Sequence, residues 1–210
     1  AIVGGGHAAA QLCAALAVAR ERPRIHLVCA EPIPPYQRPP LSKKFLAGEI
    51  ERERLFVRPP AFYAEKNVTL ETGRRVMELD LGARRVRLDD GRTLEYTGVL
   101  LATGSRVRRL DVPGATLPGV HYLRTIDDVA GFAAALTPAA RVVLIGAGFI
   151  GLEVAAVAAQ RGCHVTVIEG ADRVMSRAVS PAVSSFYAGA HAAAGVSFHF
   201  GAAVQAFEGV

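Results

Sequence analysis

Cysteine is scarce in this chain, and its placement excludes two kinds of chemistry. The 210 residues contain three cysteines, Cys13, Cys29 and Cys163, which lie far apart in apolar segments. No C-x-x-C or C-x-x-x-x-C pair is present, so the sequence predicts neither a redox-active disulfide nor a zinc site. His191 and His199 also lack partners at metal-ligand spacing. We therefore predict no metal site, and three buried thiols in a reducing, cytoplasmic compartment.

Long runs of like charge are missing as well. The formal net charge is +5, from 24 Lys and Arg against 19 Asp and Glu. Basic residues come in pairs, with no aromatic-rich stretch among them, which is typical of a solvated surface. We predict no nucleic-acid partner, although a mildly positive surface can steer an acidic protein partner. No serine lies in a G-x-S-x-G context, which argues against a hydrolase.

Two nearly uncharged stretches, residues 1–19 and 142–160, imitate membrane segments. A signal peptide would need a basic segment before its apolar one, and the sequence shows none. Both stretches are rich in glycine and alanine and follow a strand–turn–helix pattern instead. We predict no membrane segment and, with 51% hydrophobic and 20% charged residues, a globular chain.

The first half of the sequence predicts alternating strands and helices. Apolar residues 1–3 and 25–29 flank an alanine-rich helix over 8–20, which makes a β–turn–α–β unit. Residues 32–40 contain five prolines and favour an extended loop, and Ser42 is expected to cap a short helix from Lys43. The remaining elements predicted here are a helix, a strand, a β-meander and an apolar strand, over 60–66, 68–71, 74–97 and 99–102.

The opening pattern repeats after a linker rich in proline and glycine at 111–119. The elements predicted after it are a strand, a helix, a strand, a helix and a strand, over 141–145, 150–161, 164–169, 181–194 and 196–200. We therefore predict an α/β fold of two Rossmann-like dinucleotide-binding domains, with three layers, a central parallel sheet and a β-meander. The domains are expected over 1–110 and 111–210, the second incomplete and the C-terminal part missing, because a doubly wound domain would continue.

Two glycine fingerprints, each after an apolar strand and before a helix, carry the functional prediction. The first glycine permits a tight turn, the second lets a pyrophosphate approach the backbone, and the third position keeps helix and strand close. The free N–H groups of the helix N-terminus then attract the phosphates. The fingerprint positions are Gly4, Gly6 and Ala9 in the first unit, and Gly146, Gly148 and Gly151 in the second.

An acidic residue follows each fingerprint at the end of the next strand. Glu31 ends the second strand of the first unit, and Glu169 lies 18 residues after Gly151. Either carboxylate can accept hydrogen bonds from ribose hydroxyls. Because a carboxylate repels a 2′-phosphate, Glu169 favours NAD over NADP. Two dinucleotide sites in one chain indicate hydride transfer from a nicotinamide to a flavin.

At these motifs the sequence resembles the ferredoxin, rubredoxin and putidaredoxin reductases, which are FAD-dependent members of the pyridine nucleotide-disulfide oxidoreductase superfamily. The resemblance covers essentially the whole chain. Its most specific segments are residues 35–43 (PYQRPPLSK), 101–108 (LATGSRVR), 122–128 (YLRTIDD) and 145–155 (IGAGFIGLEVA).

The resemblance implies FAD and NAD(H) as cofactors and assigns residues to each. The residues that it implies for FAD are Gly4, Gly6, Ala8, Ala9, Glu31, Arg38, Lys43, Val76, Ala102, Thr103, Gly104, Arg108 and Arg124. Those that it implies for NADH are Gly146, Gly148, Ile150, Gly151, Glu169 and Arg177.

The same resemblance implies a catalytic pair. Related disulfide reductases carry a C-x-x-x-x-C pair near the segment PPLSKK, where this chain has no cysteine. The family pattern suggests instead that Lys43 pairs with Glu153, holds the flavin edge and shifts when nicotinamide binds.

The predicted activity follows: electrons pass from NADH through FAD to a ferredoxin-like iron–sulfur protein of an oxygenase system. Two alternatives stay open. One is an NADH-dependent disulfide, peroxide or oxygen reductase on the same scaffold, and the other is a non-catalytic, truncated dinucleotide-binding module. The sequence leaves the oligomeric state open.

Overall fold

The structure is a computed structural model that describes residues 1–21 and 23–209. The chain divides into two compact units. The first unit combines Ala1–Arg38 with Glu51–Arg106, and the second combines Pro39–Ile50 with Val107–Val210. A domain boundary near residue 110, as expected from the sequence, stays a prediction.

Strands and helices alternate along both units. The strands are β1 (Ile2–Val3), β2 (Ile25–Cys29), β3 (Val68–Thr72), β4 (Val76–Asp80), β5 (Arg85–Leu88), β6 (Thr93–Glu95), β7 (Leu100–Leu101), β8 (Arg141–Ile145), β9 (His164–Glu169) and β10 (Ser197–Phe200). The α-helices are α1 (His7–Ala17), α2 (Lys44–Ala47), α3 (Pro60–Glu65), α4 (Ile126–Ala133), α5 (Phe149–Gln160) and α6 (Pro181–Ala193), and 3₁₀ turns cover Pro39–Ser42 and Arg52–Leu55.

The main sheet of the first unit is parallel, with the strand order β3-β2-β1-β7. The chain winds one way from β1 to β3 and then returns to place β7 on the other side of β1. This reversal makes a topological switch point between β1 and β7, where ligands bind at the carboxyl ends of the strands in open α/β sheets. The glycine turn at 4–6 follows β1, and residues 102–104 follow β7.

Small side chains let α1 lie close to this sheet. Its buried face consists of Ala9, Ala10, Cys13 and Ala17. Ala9 and Cys13 pack with β-strand residues such as Leu27 in a cluster in which each of these three is 0% exposed. The third fingerprint position therefore does what a glycine would do, because an alanine methyl still fits between helix and sheet.

A three-stranded antiparallel sheet of β4, β5 and β6 completes the first unit and confirms the predicted meander. A charged cluster ties its hairpin turn to β3. Arg92 donates from both terminal nitrogens to Glu71, at 3.1 and 2.9 Å, and from Nε to Asp90 at 2.8 Å. Arg74 Nε lies 2.9 Å from the same Asp90 oxygen, so one carboxylate joins two guanidinium groups.

The second unit repeats the parallel pattern, with the strand order β10-β9-β8. The helix α5 connects β8 to β9 and buries Leu152, Val154, Ala155, Val157 and Ala158. Both units thus contain a parallel β–α–β element with a glycine turn between its first strand and its helix. This confirms the predicted α/β class with parallel sheets. No helix in the described part of the chain is long and apolar enough to cross a membrane.

Two local features differ from the sequence prediction. The helix α4 was not predicted, although Thr125 and Asp128 form a capping box, because its apolar positions fill barely two turns. Ser42 does not cap α2, so that prediction was wrong. Its hydroxyl donates to Glu153 instead, since this carboxylate offers a buried hydroxyl a stronger acceptor.

Candidate dinucleotide-binding sites

The first glycine turn has one position that the fold requires and one that faces open space. Gly4 has φ +117°, and a Cβ there would lie 2.2 Å from the carbonyl oxygen of Ala102. Only glycine fits this close approach of β1 to the segment after β7. Gly6 precedes α1, and a Cβ there would meet nothing within 4 Å. No acidic residue lies in the first turn of α1, so the open space beside Gly6 suits a pyrophosphate.

The acidic residue of the first unit already has partners. Arg38 Nη2 donates to Glu31 Oε1 at 2.6 Å, and the Tyr36 hydroxyl donates to Oε2. The Arg38 guanidinium also lies 5.0 Å from the centre of the Tyr36 ring. Both charged side chains are about a quarter exposed, at 26% for Arg38 and 28% for Glu31. The structure therefore brings two predicted FAD residues, Glu31 and Arg38, together in one ion pair.

The other predicted FAD residues divide between the units. Val76 begins β4, Ala102 and Thr103 follow β7, and Gly104 has φ +68°. In the second unit, Arg108 is exposed and the backbone N–H of Arg124 donates to Asp128 at 2.8 Å. The assignment of all these residues to one FAD stays a prediction.

The second glycine turn also has one position without room for a side chain and one that faces open space. Gly146 has φ +98°, and a Cβ on Gly151 would lie 2.0 Å from the Gly146 carbonyl oxygen. Gly148 precedes α5, has no acidic residue in the turn that follows, and would place a Cβ in open space. The turn again leaves free N–H groups facing a space that a side chain would fill. Ile150, in the first turn of α5, is 54% exposed.

A cleft of about 280 Å³ opens beside Gly148 and is lined by Phe149, Glu169 and residues 175–178. Glu169 Oε2 accepts from the backbone N–H of Ala147 at 2.7 Å, and Oε1 accepts from that of Ala171 at 2.9 Å. These bonds hold the carboxylate at the edge of the glycine turn, where the ribose of a bound dinucleotide is expected. Arg177 lines the same cleft, and its role in NADH binding stays a prediction.

The predicted ion pair is present within the second unit. Lys43 Nζ lies 2.7 Å from Glu153 Oε1 and donates to the Pro39 carbonyl at 3.2 Å. The buried hydroxyl of Ser42 donates to Glu153 Oε2 at 2.5 Å. Each carboxylate oxygen therefore has its own donor, which fixes the Glu153 side chain.

Several residues of these sites were not predicted from the sequence. Ser42 was assigned to a helix cap, and Tyr36 was not singled out. Met175, Ser176 and Ala178 line the cleft although the segment after Glu169 carries no motif. The one available signal was position, because the loop after the second strand of a Rossmann unit lies at the ligand edge of the sheet.

The cysteines are free and buried. Burial raises the pKa of Cys13 to about 11, and burial together with Cys13 and Glu31 raises that of Cys29 to about 12. Both thiols are therefore protonated at neutral pH and poor nucleophiles. Among the described residues, no group of three or more His, Cys, Asp or Glu side chains could hold a metal ion.

Comparison with known proteins agrees with this geometry. The profile of the family described as pyridine nucleotide-disulphide oxidoreductase matches residues 1–210. The chain belongs to this family. Rhodocoxin reductase of Rhodococcus erythropolis is 43% identical over 204 residues, which are 97% of the chain and 48% of the relative.

Two solved structures are similar to this chain over almost its whole length. The ferredoxin reductase for the CYP199A2 system from Rhodopseudomonas palustris has a TM-score of 0.95 and 40% identity, with 100% of the chain and 52% of that protein covered. A covalent putidaredoxin reductase–putidaredoxin complex has a TM-score of 0.91 and 39% identity, with 99% and 50% covered. The predicted resemblance is confirmed, and the chain spans about half the length of the relatives that it matches.

Proposed function

We propose that this chain is part of an FAD-dependent NADH:ferredoxin-type reductase. The observation that carries the proposal is the pair of glycine turns, at Gly6 and at Gly148, which each face open space at the start of a helix whose first turn has no acidic residue. Each turn fits one dinucleotide pyrophosphate, and two dinucleotides in one chain are what hydride transfer between a nicotinamide and a flavin requires.

The chain's own residues bind and orient in this proposal. The first turns of α1 and α5 supply N–H groups to the two pyrophosphates, and Glu31 and Glu169 accept from ribose hydroxyls. A bound FAD would supply the hydride-accepting and one-electron chemistry. Because the cofactors supply the chemistry, the protein needs no general acid–base pair of its own.

Glu169 makes NADH the preferred donor. Its carboxylate is held in place by two backbone N–H groups, so it does not swing away from the ribose position. A 2′-phosphate placed there would meet a fixed like charge. A comparison of kcat/KM tests this, and better turnover with NADPH than with NADH would contradict the role of Glu169.

An iron–sulfur protein is the proposed electron acceptor. Two of the relatives above are named as ferredoxin and putidaredoxin reductases, and one was solved in complex with putidaredoxin. The neutral, buried Cys13 and Cys29 favour this acceptor over a disulfide, because disulfide reduction needs a reactive thiolate. Three free cysteines also suit a cytoplasmic protein.

Two measurements test the function. An absorbance spectrum after FAD reconstitution is expected to show flavin bands, and their absence would favour a non-catalytic module. NADH oxidation is then followed with a ferredoxin, a disulfide, hydrogen peroxide or oxygen as acceptor. We expect the ferredoxin to be reduced fastest, whereas faster turnover of a disulfide, peroxide or oxygen would overturn the proposal.

A further inference from the structure

The loop between β9 and α6, residues 170–180, forms one wall of the cleft beside Glu169. Residues 175–178 of this loop line the cleft, and Gly148, Phe149 and Glu169 line the rest. The loop contains neither strand nor helix. Its shape therefore depends on individual hydrogen bonds and not on a regular ladder.

The middle of the loop is anchored to neighbouring elements. The Ser184 hydroxyl, in a residue 1% exposed, donates to the Val174 carbonyl at 2.6 Å. The backbone N–H of Met175 donates to the Ala147 carbonyl, inside the glycine turn, at 2.9 Å. Met175, which lines the cleft, has φ +48°, a left-handed conformation that is uncommon outside glycine. These bonds fix residues 174 and 175 only.

The Arg173 side chain hydrogen-bonds to the second half of the loop. Its Nη2 donates to the Ser176 carbonyl at 2.6 Å, and its Nη1 donates to the Val179 carbonyl at 3.0 Å. The two carbonyls lie on either side of Arg177, so the planar guanidinium spans the part of the loop that lines the cleft. Backbone bonds from residues 178 and 179 to the Met175 carbonyl complete the turn without reaching Ser176.

We propose that Arg173 is a positioning residue for the nicotinamide dinucleotide: it shapes the wall that binds the adenosine half, without touching the ligand. The inference rests on the proposed function, which places a dinucleotide in this cleft. The adenosine half is the relevant one, because the carboxylate at the end of the second strand, here Glu169, receives the adenosine ribose. The nicotinamide half should be unaffected, so Arg173 sets affinity and not the rate of hydride transfer.

The test measures binding of ADP-ribose, which carries the adenosine half alone, to the full chain by isothermal titration calorimetry. Arg173→Ala is expected to weaken binding about ten-fold, which corresponds to about 1.4 kcal/mol. Arg173→Lys keeps a positively charged hydrogen-bond donor but lacks the planar guanidinium, so it should recover part of the affinity for ADP-ribose. In the FAD-loaded protein, Arg173→Ala should raise KM for NADH about ten-fold and change kcat less than two-fold.

Arg161→Ala is the matched control. Arg161 Nη1 likewise donates to a backbone carbonyl, that of Ala133, at 2.9 Å, but Arg161 does not line the cleft. All variants are titrated well below their melting temperatures, so that a general loss of stability is separated from loop placement. Unchanged affinity in Arg173→Ala, or an equal loss in Arg161→Ala, would overturn the inference. Failure of the unsubstituted chain to bind ADP-ribose would overturn the proposed function and the inference with it.

Discussion

At the scale of single residues, each fingerprint contains two kinds of glycine position: one has no room for a Cβ, and the other faces open space. Gly4 and Gly151 have no room for a Cβ because backbone carbonyl oxygens lie 2.2 and 2.0 Å from its position. Gly6 and Gly148 have nothing within 4 Å. The same residue type is thus required for packing at one position and, in the proposed function, leaves space for a cofactor at another. Substitution can tell the two roles apart.

Alanine substitution in the second fingerprint should separate binding from stability. Gly148→Ala places a methyl group in open space, so its free energy of unfolding should change by less than about 1 kcal/mol. Its Kd for NADH should rise at least ten-fold, because the methyl occupies the space of the pyrophosphate. Gly151→Ala should lower the free energy of unfolding by about 1–3 kcal/mol, since the clash outweighs the gain in helix propensity.

Gly189→Ala is the control for this pair. Gly189 lies in α6, and a Cβ there meets nothing within 4 Å. The variant should keep the Kd for NADH and gain slightly in stability. Chemical denaturation and NADH titration check all three variants, and a stable Gly151→Ala or a tight-binding Gly148→Ala would contradict the assignment.

The second residue-scale prediction concerns Ser42 and the exposed Lys43. Ser42→Ala removes the donor to Glu153 Oε2, so the carboxylate is no longer fixed as the partner of Lys43. Stability should fall by about 1 kcal/mol. Acetic anhydride should modify Lys43 a few-fold faster, as measured by peptide mass spectrometry. Ser42→Thr keeps the hydroxyl and should restore the slow rate.

Lys44 serves as the internal reference for that experiment. It is exposed and adjacent in sequence, and its acetylation rate should be the same in every variant. An equal rise at Lys43 and Lys44 would show general loosening of the segment instead of a specific tether.

At the scale of elements, the sequence predicted what local patterns determine. The strands β8 and β9 have the predicted bounds, because β-branched and other apolar residues predominate in both and a glycine follows each strand. The meander followed from alternation around Asp90 and Gly91. Ser42 escaped prediction for a physical reason: its partner Glu153 lies 111 residues away, and no local pattern reports such a contact.

The anchor between the meander and β3 makes stability depend on pH. The hydrogen bond from Arg92 holds the pKa of Glu71 below its ordinary value of 4.5. A lowered folded-state pKa contributes stability that is complete above about pH 4.5 and is lost as the pH falls through the folded-state pKa. Arg92→Ala should therefore be less stable than the unsubstituted chain at pH 7, and the difference should narrow as the pH falls below 4.5.

Urea unfolding at pH 7, 4 and 3 measures this difference. Arg87→Ala is the control, because Arg87 and its partner Glu78 are both more than half exposed, at 52% and 59%. Such a pair contributes little to stability. A difference between Arg92→Ala and the unsubstituted chain that stays constant with pH would contradict the role of Glu71.

At the scale of the whole molecule, both units contain the same parallel β–α–β arrangement. Each has three parallel strands in the order third, second, first, a glycine turn after the first strand, and a carboxylate at the end of the second strand or two residues beyond it. The sequence showed this repetition because the motif is short and contiguous. It could not show the cleft wall at 175–178, since that wall depends on Arg173 and on a left-handed Met175 and not on a motif.

The state of the thiols decides between the two enzyme classes that this scaffold supports. All three cysteines are free and buried, and those at 13 and 29 lie in the core of the first unit. In the native FAD-loaded protein, Ellman's reagent should therefore react with fewer than one thiol, and with three after denaturation. Reduction by NADH should expose no further thiol, and N-ethylmaleimide added after NADH should leave ferredoxin reduction unchanged.

Cys29→Ala, which removes the thiol with the pKa of about 12, should keep that activity provided that the protein still folds. A thiol that appears only after NADH reduction, with loss of activity on alkylation, would place the protein among the thiol-dependent reductases instead.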